Sequence, residues 1–459
     1  MLAPGFAAGG AALIVALEQL RHDVGEELAG CSFGFGVHGA WPVVGVQNAA
    51  HHGRGGVFVA ATQDMNVGAG DRAGVLVVGL AAEPLIDVPT RPTDTIRPAQ
   101  DRDVVGESSP TSRVTDRAGA SASVAFVSGN GAAPLRIGIL GAARIAPLAL
   151  IKPAKGNVEV VVAAVAARDA ARAQAFAAKH GIARVHESYE TLIADPDLDA
   201  IYIPLPNGLH GRWIRAALGT GKHVLCEKPF TANTAEAREI AELAAKSGRV
   251  VMEAFHYRYH PLALRVEQII ASGELGTLER VEAALCFPLP KFSDIRYNYS
   301  LAGGATMDAG CYAVHMARTF GGGTPEVVWA QAKLRDPQID RAMTAELRFP
   351  GGHTGRVRCS MWSSDLLQVS ARVVGDHGEL RVFNPITPQF FHRLSVRSAD
   401  GKRVERFRRR ASYAYQLDAF AAAVLRGEPV KTTPEDAIEN MTVIDAIYRA
   451  AGLPLREPS

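Results

Sequence analysis

The sequence predicts an α/β protein in two successive parts. A doubly wound parallel sheet comes first, followed by an α+β unit built on a large open, mostly antiparallel sheet. Three observations carry this. From Leu135 onward, short apolar strands alternate with amphipathic helices, as repeated βα units do. After about Tyr257 longer strands follow one another, separated by turns such as Pro350-Gly351-Gly352 and Gly375-Asp376-His377-Gly378. Residues 1–134 show neither pattern.

Residues 1–134 are rich in Gly, Ala, Ser and Pro. They hold a candidate helix at Ala11–Leu28 and an apolar stretch at Ala73–Leu80. From Asp87 to Ala133 the Pro/Ser/Thr/Asp/Arg-rich composition is that of a linker or disordered segment. The expectation is a largely disordered extension, or a start of translation set too far upstream, with no catalytic constellation.

Residues 135–257 supply the parallel sheet. Leu135–Leu140 is a buried strand, followed by a turn and a helix to about Ile151. Val158–Ala167 is almost wholly apolar, as a strand covered on both faces should be. Asp169 can cap a helix at Ala170–His180, with Gly181 as its stop. A strand at Ala200–Ile203, a helix from about Leu209, a strand at His223–Glu227, a helix at Thr234–Ser247 and a strand at Val250–Phe255 complete the unit. Residues 258–459 begin with a helix, Pro261–Ala271. Strands are expected at Leu278–Phe287, Val327–Arg335, Ala342–Phe349, Thr354–Met361, Gln368–Val374, Glu379–Val382 and His392–Ser398. Helices are expected at Tyr312–Phe320, Tyr413–Leu425 and Pro434–Ala451, the last two packing back towards the first unit.

The 459 residues exceed one ordinary domain, and 47% hydrophobic against 21% charged residues can bury a sizeable core. A net charge of +2 carries no nucleic-acid stripe, and Arg406-Phe407-Arg408-Arg409-Arg410 reads as a solvated strand end. Five scattered cysteines form neither a disulfide framework nor a Cys-x-x-Cys pair. No apolar run reaches membrane-spanning length. Ala11–Leu20 lacks a preceding Lys or Arg and contains Glu18, unlike a signal peptide. A cytoplasmic protein is expected.

Most of the chemistry-bearing residues fall at strand ends, and Tyr312 falls at the start of a helix. Gly141-Ala142-Ala143-Arg144-Ile145-Ala146 matches the G-x-G-x-x-[GA] phosphate turn except at Ala143, and it follows the first strand of a βαβ unit. The second strand ends at Arg168, with Asp169 next. An acidic tip would suit the ribose hydroxyls of NAD. An arginine suits the 2′-phosphate of NADP, which is favoured here, with NAD left open. Lys228 closes the run Lys222–Glu227 at the binding edge of the sheet, before Pro229, and it fits either a cleft group or a surface strand end. Tyr312, beyond Asp308, fits either a core aromatic or a general acid/base whose pKa a nearby ammonium would lower. His256-Tyr257-Arg258-Tyr259-His260 invites a metal reading. Without helical spacing or a nearby Cys or carboxylate, a substrate-cleft rim is favoured and no metal is expected.

Together these motifs resemble the Gfo/Idh/MocA oxidoreductase family over essentially all of residues 135–459. The resemblance rests on Gly138–Gly141, Pro206-Asn207-Gly208-Leu209-His210, Glu227-Lys228-Pro229, Glu253–Pro261, Gly303–Tyr312, Gln416–Phe420 and Ile444–Tyr448. It implies a Rossmann domain at 135–257 and a substrate and oligomerisation domain at 258–459, with a homodimer or homotetramer formed through the open sheet. It implies NADP contacts at Gly141, Ala143, Arg144, Ile145, Arg168, Pro206, Asn207, His210, Glu227 and Lys228. Catalysis is expected from Lys228 and Tyr312 with Asp308, and Tyr257, Arg258 and His315 are expected to contact substrate. Tyr312, where many members carry His, is similar to the dihydrodiol dehydrogenase, D-xylose dehydrogenase and glucose–fructose oxidoreductase branch. The implied activity is hydride transfer between NADP(H) and a sugar, polyol or cyclic trans-diol. Two readings stand beside it. A non-catalytic nucleotide sensor should lack the lysine or its partner, and an NAD-dependent glycosidase should carry His at 312 and an acidic tip in place of Arg168.

Overall fold

The computed structural model describes residues 133–459 except Leu366, together with the backbone of four upstream strands. These strands are β1 (Cys31–His38), β2 (Trp41–Asn48), β3 (Gly56–Val59) and β4 (Gly79–Ala81). They pair antiparallel in the order β1-β2-β3-β4. No strands were expected here, because Gly and Ala interrupt the alternation. The candidate helix at 11–28 and the linker at 87–133 lie outside the described residues, apart from residue 133 itself.

The parallel sheet is built from β5 (Leu135–Leu140), β6 (Val160–Ala166), β7 (Arg184–His186), β8 (Ala200–Ile203), β9 (His223–Cys226) and β10 (Val251–Glu253). Its order is β10-β9-β8-β5-β6-β7, with every pair parallel. The chain starts in the middle at β5, winds out through β6 and β7, then returns to β8 and winds the other way. The reversal leaves a crevice beyond the carboxyl ends of β5 and β8, where ligands bind in such sheets. Helix α1 (Lys152–Lys155) follows a wide turn at Pro147–Ile151. Helix α2 (Ala170–His180) has Asp169 accepting from Arg172 N as its cap and ends at Gly181 with φ 73°, as the sequence predicts. Helices α3 (Tyr189–Ile193), α4 (His210–Gly219) and α5 (Thr234–Ser247) complete the layers. Strand β7 and α3 escape sequence reading because each is too short to show a period.

The second sheet has the order β12-β13-β14-β11-β15-β16-β17-β18. Its strands are β11 (Leu278–Cys286), β12 (Glu326–Asp336), β13 (Ile339–Arg348), β14 (Thr354–Ser360), β15 (Gln368–Gly375), β16 (Glu379–Phe383), β17 (Arg393–Ser398) and β18 (Gly401–Glu405). All neighbours are antiparallel except β11 and β14, which run parallel. Strand β12, at one edge, breaks register with β13 three times. Helices α6 (Pro261–Ala271) and α7 (Cys311–Gly321) follow the predicted spans to within a residue, as do α8 (Ser412–Arg426) and α9 (Pro434–Ala450). Ten of the eleven residues of α7 are buried, because it runs between the sheet and α9. The opposite sheet face carries charged side chains, with Arg372 bridging Glu282 and Glu379, and Arg397 on Glu379. Helix α8 lies on the turn before α1.

The loop from β11 to α7 is fixed by a buried cluster. Arg456 and Asp340, both fully buried, are 3.0 Å apart. Asp340 also accepts from Thr306 N at 2.7 Å, Thr306 Oγ1 at 2.6 Å and Tyr448 Oη at 3.1 Å. Arg456 Nε donates to Gly303 O at 2.6 Å. Gly304, with φ 130°, lies so close that a Cβ would stand 2.2 Å from Asp340 Oδ1.

Every strand of both large sheets comes from residues after 134. A chain beginning at Ala132 is therefore expected to fold alone, with a melting temperature within a few degrees of the full chain. Aggregation of the shortened chain, or a large drop in its Tm, would show that residues 1–131 belong to the enzyme core.

Candidate active site

The carboxyl ends of β5, β6, β8, β9 and β10 bring the sequence-predicted residues to one edge. Gly141 follows β5 with φ 93°, a left-handed conformation that a side chain resists, and its N–H donates to Ala166 O at 2.6 Å. Ala143 and Ile145 are part-buried in the same turn. Arg144 points across the crevice, with its guanidinium 3.5 Å from the Asp294 carboxylate of the second domain. Arg168 is exposed just past the tip of β6. Asp169 is occupied as the cap of α2, accepting from Arg172 N at 3.1 Å. One Asp169 oxygen thus carries a helix-capping bond, and the exposed Arg168 stands beside it at the tip. Arg172 was missed in the sequence. It donates to Ala142 O at 2.9 Å and places a second guanidinium beside the turn. A left-handed glycine at the turn and an exposed arginine at the second strand tip fit a dinucleotide carrying a 2′-phosphate.

Lys228 leaves the end of β9 through a cis bond to Pro229. Its Nζ donates to Asp308 O at 3.0 Å, stands 3.7 Å from Asp308 Oδ1, and lies 5.1 Å from the centre of the Tyr312 ring. Burial acts to lower its pKa, but Cys311, Asp308 and Glu227 outweigh that and raise it above the ordinary lysine value. Lys228 is thus a cation and hydrogen-bond donor, and it is no base at neutral pH. Asp308 Oδ1 also faces Arg296 Nε at 3.5 Å, while Asp308 Oδ2 is buried without a hydrogen-bond partner. Glu227 accepts from Tyr202 Oη at 2.7 Å, and burial raises its pKa.

Several expectations need correction. Tyr312 was expected to have its pKa lowered by the lysine, yet burial pushes it well above 10, with Tyr413, Glu227, Cys311 and Tyr257 adding to the shift. The ammonium sits over the ring rather than at the hydroxyl, so it stabilises phenolate too weakly to win. His210 was placed against the cofactor, but it is fully buried with Nδ1 2.7 Å from Pro229 O and Nε2 2.8 Å from Leu205 O. It ties two crevice loops together. Tyr257 and His315 were assigned to substrate, yet both are fully buried and paired with each other at 2.6 Å, with His315 Nε2 2.8 Å from Asp436 Oδ2. Arg258 Nη1 is paired with Glu267, and its Nε is buried without a hydrogen-bond partner. Asn207 Nδ2 is turned to Ala302 O at 3.1 Å, and Pro206, part-buried, leads into that turn. Conversely, His256 reaches Tyr312 Oη at 3.1 Å. Its sequence signal was read only as a metal ligand or rim residue. Among the described residues no group of three or more His, Cys, Asp or Glu could hold a metal ion.

The profile described as "Oxidoreductase family, NAD-binding Rossmann fold" matches residues 135–255, and that described as "GFO/IDH/MocA C-terminal domain" matches residues 263–381. The D-xylose 1-dehydrogenase (NADP(+)) 2 of Haloferax volcanii is 41% identical over 320 residues, covering 69% of this chain and 97% of that protein. The trans-1,2-dihydrobenzene-1,2-diol dehydrogenase of Macaca fascicularis is 35% identical over 228 residues, covering 49% and 66%. The crystal structure of a 3-ketoreductase from Actinomadura kijaniata in complex with NADP and TDP-benzene superposes with a TM-score of 0.64 at 29% identity, covering 69% of this chain and 98% of that one.

His256 also carries a stability signature. Burial, then Lys228 and His260, hold its pKa down to about 3, while Tyr312 and Tyr413 pack on it as uncharged rings. A pKa depressed on folding contributes stability above the unfolded value of about 6.5 and loses it as pH falls. Between pH 7 and pH 5 the native protein should lose about 2 kcal/mol relative to His256→Gln, since only the unfolded histidine takes up the proton. Denaturant unfolding of both proteins at the two pH values measures this. Equal pH slopes would mean that His256 is not held neutral.

Proposed function

The chain belongs to the Gfo/Idh/MocA oxidoreductase family, and we propose that it transfers a hydride between NADP(H) and a CH–OH group of a sugar, polyol or cyclic trans-diol. The observation that carries the reading is the seat of the Lys228 ammonium, between Asp308 and the ring of Tyr312 at the switch-point crevice. A nucleotide sensor would have no use for this arrangement.

The chain's own groups divide the work. Gly141 and its turn receive the pyrophosphate, and Arg168, with Arg172 beside it, receives the 2′-phosphate. Bound NADP supplies the hydride acceptor. Lys228, held cationic, donates a hydrogen bond to the reacting oxygen and steadies negative charge that develops there. Tyr312 exchanges the proton of that hydroxyl. Asp308 Oδ2, buried and without a partner, is suited to accept from a neighbouring hydroxyl, which favours polyhydroxylated substrates. A second copy stacked on the charged face of the open sheet would give a homodimer or homotetramer, and arginines and glutamates present together suit such self-pairing. A cytoplasmic site fits this cofactor and the buried, unpaired thiols Cys226, Cys286, Cys311 and Cys359. The assay that tests the reading is NADP and NAD reduction across aldoses, inositols and cyclic trans-diols. Absence of turnover on the whole panel would remove it.

Cofactor choice should rest on Arg168. Its replacement by Ala removes a charge-assisted pair worth about 1.5–3 kcal/mol, or roughly ten- to a hundredfold in NADP affinity, with NAD little changed. Titration of both cofactors reads this, and equal losses would reassign the 2′-phosphate.

Lys228 and Tyr312 should act as one unit. Lys228→Ala and Tyr312→Phe are each expected to lower kcat by about a hundredfold or more with cofactor binding kept. The double variant should lose little beyond the worse single one. Near-normal turnover in Tyr312→Phe would move proton exchange elsewhere, with Asp308 first in line.

A further inference from the structure

Residues 455–459 are tied to both walls of the crevice, and the reaction as written gives them no part. On the wall of the first domain, Ser459 N–H donates to Gly208 O at 2.7 Å and Asn233 Nδ2 donates to Arg456 O at 2.8 Å. On the wall of the second, Ser459 Oγ donates to Ser300 O. Tyr299 Oη donates to Leu455 O at 2.8 Å, and Arg456 Nε to Gly303 O at 2.6 Å. The Arg456 guanidinium lies over the Tyr448 ring, 4.1 Å from its centre. Arg456 is fully buried, whereas Ser459 is exposed.

The gripped residues flank the reacting groups. Asn233 comes five residues after Lys228, and Gly303 comes five before Asp308. Arg456 therefore joins the backbone just beyond Lys228 to the backbone just ahead of Asp308. Gly208 stands on the turn after β8, the strand beside β9. It also shows how closely Ser459 is seated. A Cβ at Gly208 would stand 2.2 Å from Ser459 Oγ and 3.2 Å from Ser459 Cβ. The next atom, Leu301 C at 3.3 Å, needs a shift of a few tenths of an ångström to make room. Gly208 is not among the glycines with positive φ, so its backbone accepts a side chain. The seryl side chain, and not the conformation of the turn, thus keeps position 208 bare.

We propose that residues 455–459 are a strap that fixes the spacing between Lys228 and the Asp308–Tyr312 segment, which makes Arg456 and Ser459 positioning residues for the hydride transfer. The proposal rests on the reading of Lys228 and Tyr312 as the reacting pair. Lys228 and Asp308 come from different domains, and they meet directly through one hydrogen bond and a 3.7 Å ion pair. Substrate competes for that contact when the ammonium turns to the reacting oxygen. The strap keeps the separation through groups that substrate does not use. Asn207 Nδ2 on Ala302 O, at 3.1 Å, adds a direct tie alongside it. A misplacement of about 1 Å costs on the order of a hundredfold in rate even when its cause lies away from the chemistry. A wedge driven under the strap at Gly208 therefore acts on turnover through the position of Lys228 relative to Asp308 and Tyr312.

The test uses the full chain with NADP and the best substrate of the panel above. In Gly208→Ala, kcat should fall about tenfold or more, with both KM values within about threefold. Ser459→Gly should lose less, because its N–H still reaches Gly208 O. The double variant makes room for the added methyl and should recover to the level of Ser459→Gly alone. A role for Gly208 confined to its own turn would give no such recovery. Hydrogen exchange read by mass spectrometry needs no turnover. Gly208→Ala should speed exchange in residues 206–210 and 298–304 together, and the double variant should slow both again. Should Gly208→Ala fail to fold, deletion of Pro458 and Ser459 removes both outer ties and should give the same fall in kcat and the same faster exchange. The strap is overturned if the wedged or shortened chain keeps kcat within twofold of wild type. Absence of recovery in the double variant, or faster exchange on one wall alone, also overturns it. Failure of wild type on every substrate, with the exchange results as expected, would uphold the strap's hold on both walls and instead fault the proposed reaction.

Discussion

An ammonium almost out of water at the end of a parallel strand needs oxygen around it, and the rest of the site follows from how that need is met. Lys228 belongs to the first domain, and its nearest oxygens belong to Asp308 of the second. Isolated burial of the charge would cost several kcal/mol. The two domains must therefore dock in the one register that brings Asp308 to Lys228, and the same register sets Tyr312 one turn further along, under the ammonium. The meeting of Lys228 with Tyr312 is thereby a consequence of domain docking as much as of either domain.

That register is held from behind. Asp308 lies on the segment that begins at Gly303 and Gly304, and Asp340 grips it through Thr306 while Arg456 holds the Gly303 carbonyl. A charge pair buried on both sides is a poor source of stability against apolar alternatives, yet it tolerates little displacement once formed. Here it acts on position. His210 does the same on the other side of the crevice by joining the Pro229 and Leu205 carbonyls. The loops that would touch cofactor and substrate are thus anchored by groups that touch neither.

Much of this was legible in the sequence, for physical reasons. Strands covered on both faces are apolar runs, so β5, β8 and β9 could be drawn almost to the residue. Caps announced themselves at Asp169 and Gly181. The glycine turn, Arg168 and Lys228 stood at strand ends, which topology alone brings together, and Tyr312 stood at the start of a predicted helix. What a sequence cannot display is which way a side chain faces once packed. Tyr257, Arg258 and His315 lie close to His256 or Tyr312 in the chain, yet they turn inward to one another, to Asp436 and to Glu267. His256, one position before Tyr257, instead reaches Tyr312. The helix-period cue that separates such faces is absent in the short turn His256–Tyr259. The sign of the Tyr312 shift was missed for a related reason, since burial is a property of the surroundings and the lysine was visible where the surroundings were not.

The three register breaks along β12 bear on a different matter. This edge strand is 11 residues long and exposes Val328, Trp329 and Leu334. A straight edge of that length and character would template the strand of any neighbouring molecule, including a partly unfolded copy emerging from synthesis. Two of the breaks put the extra residue on β12, at Val328 and Arg335, and throw its outward N–H and C=O groups out of step, so an incoming strand matches only a few residues before its hydrogen bonds fail, while the third puts Arg341 on β13. The β12 edge of the sheet thus resists growth along its plane. An irregularity that carries none of the crevice residues guards this edge against strand addition.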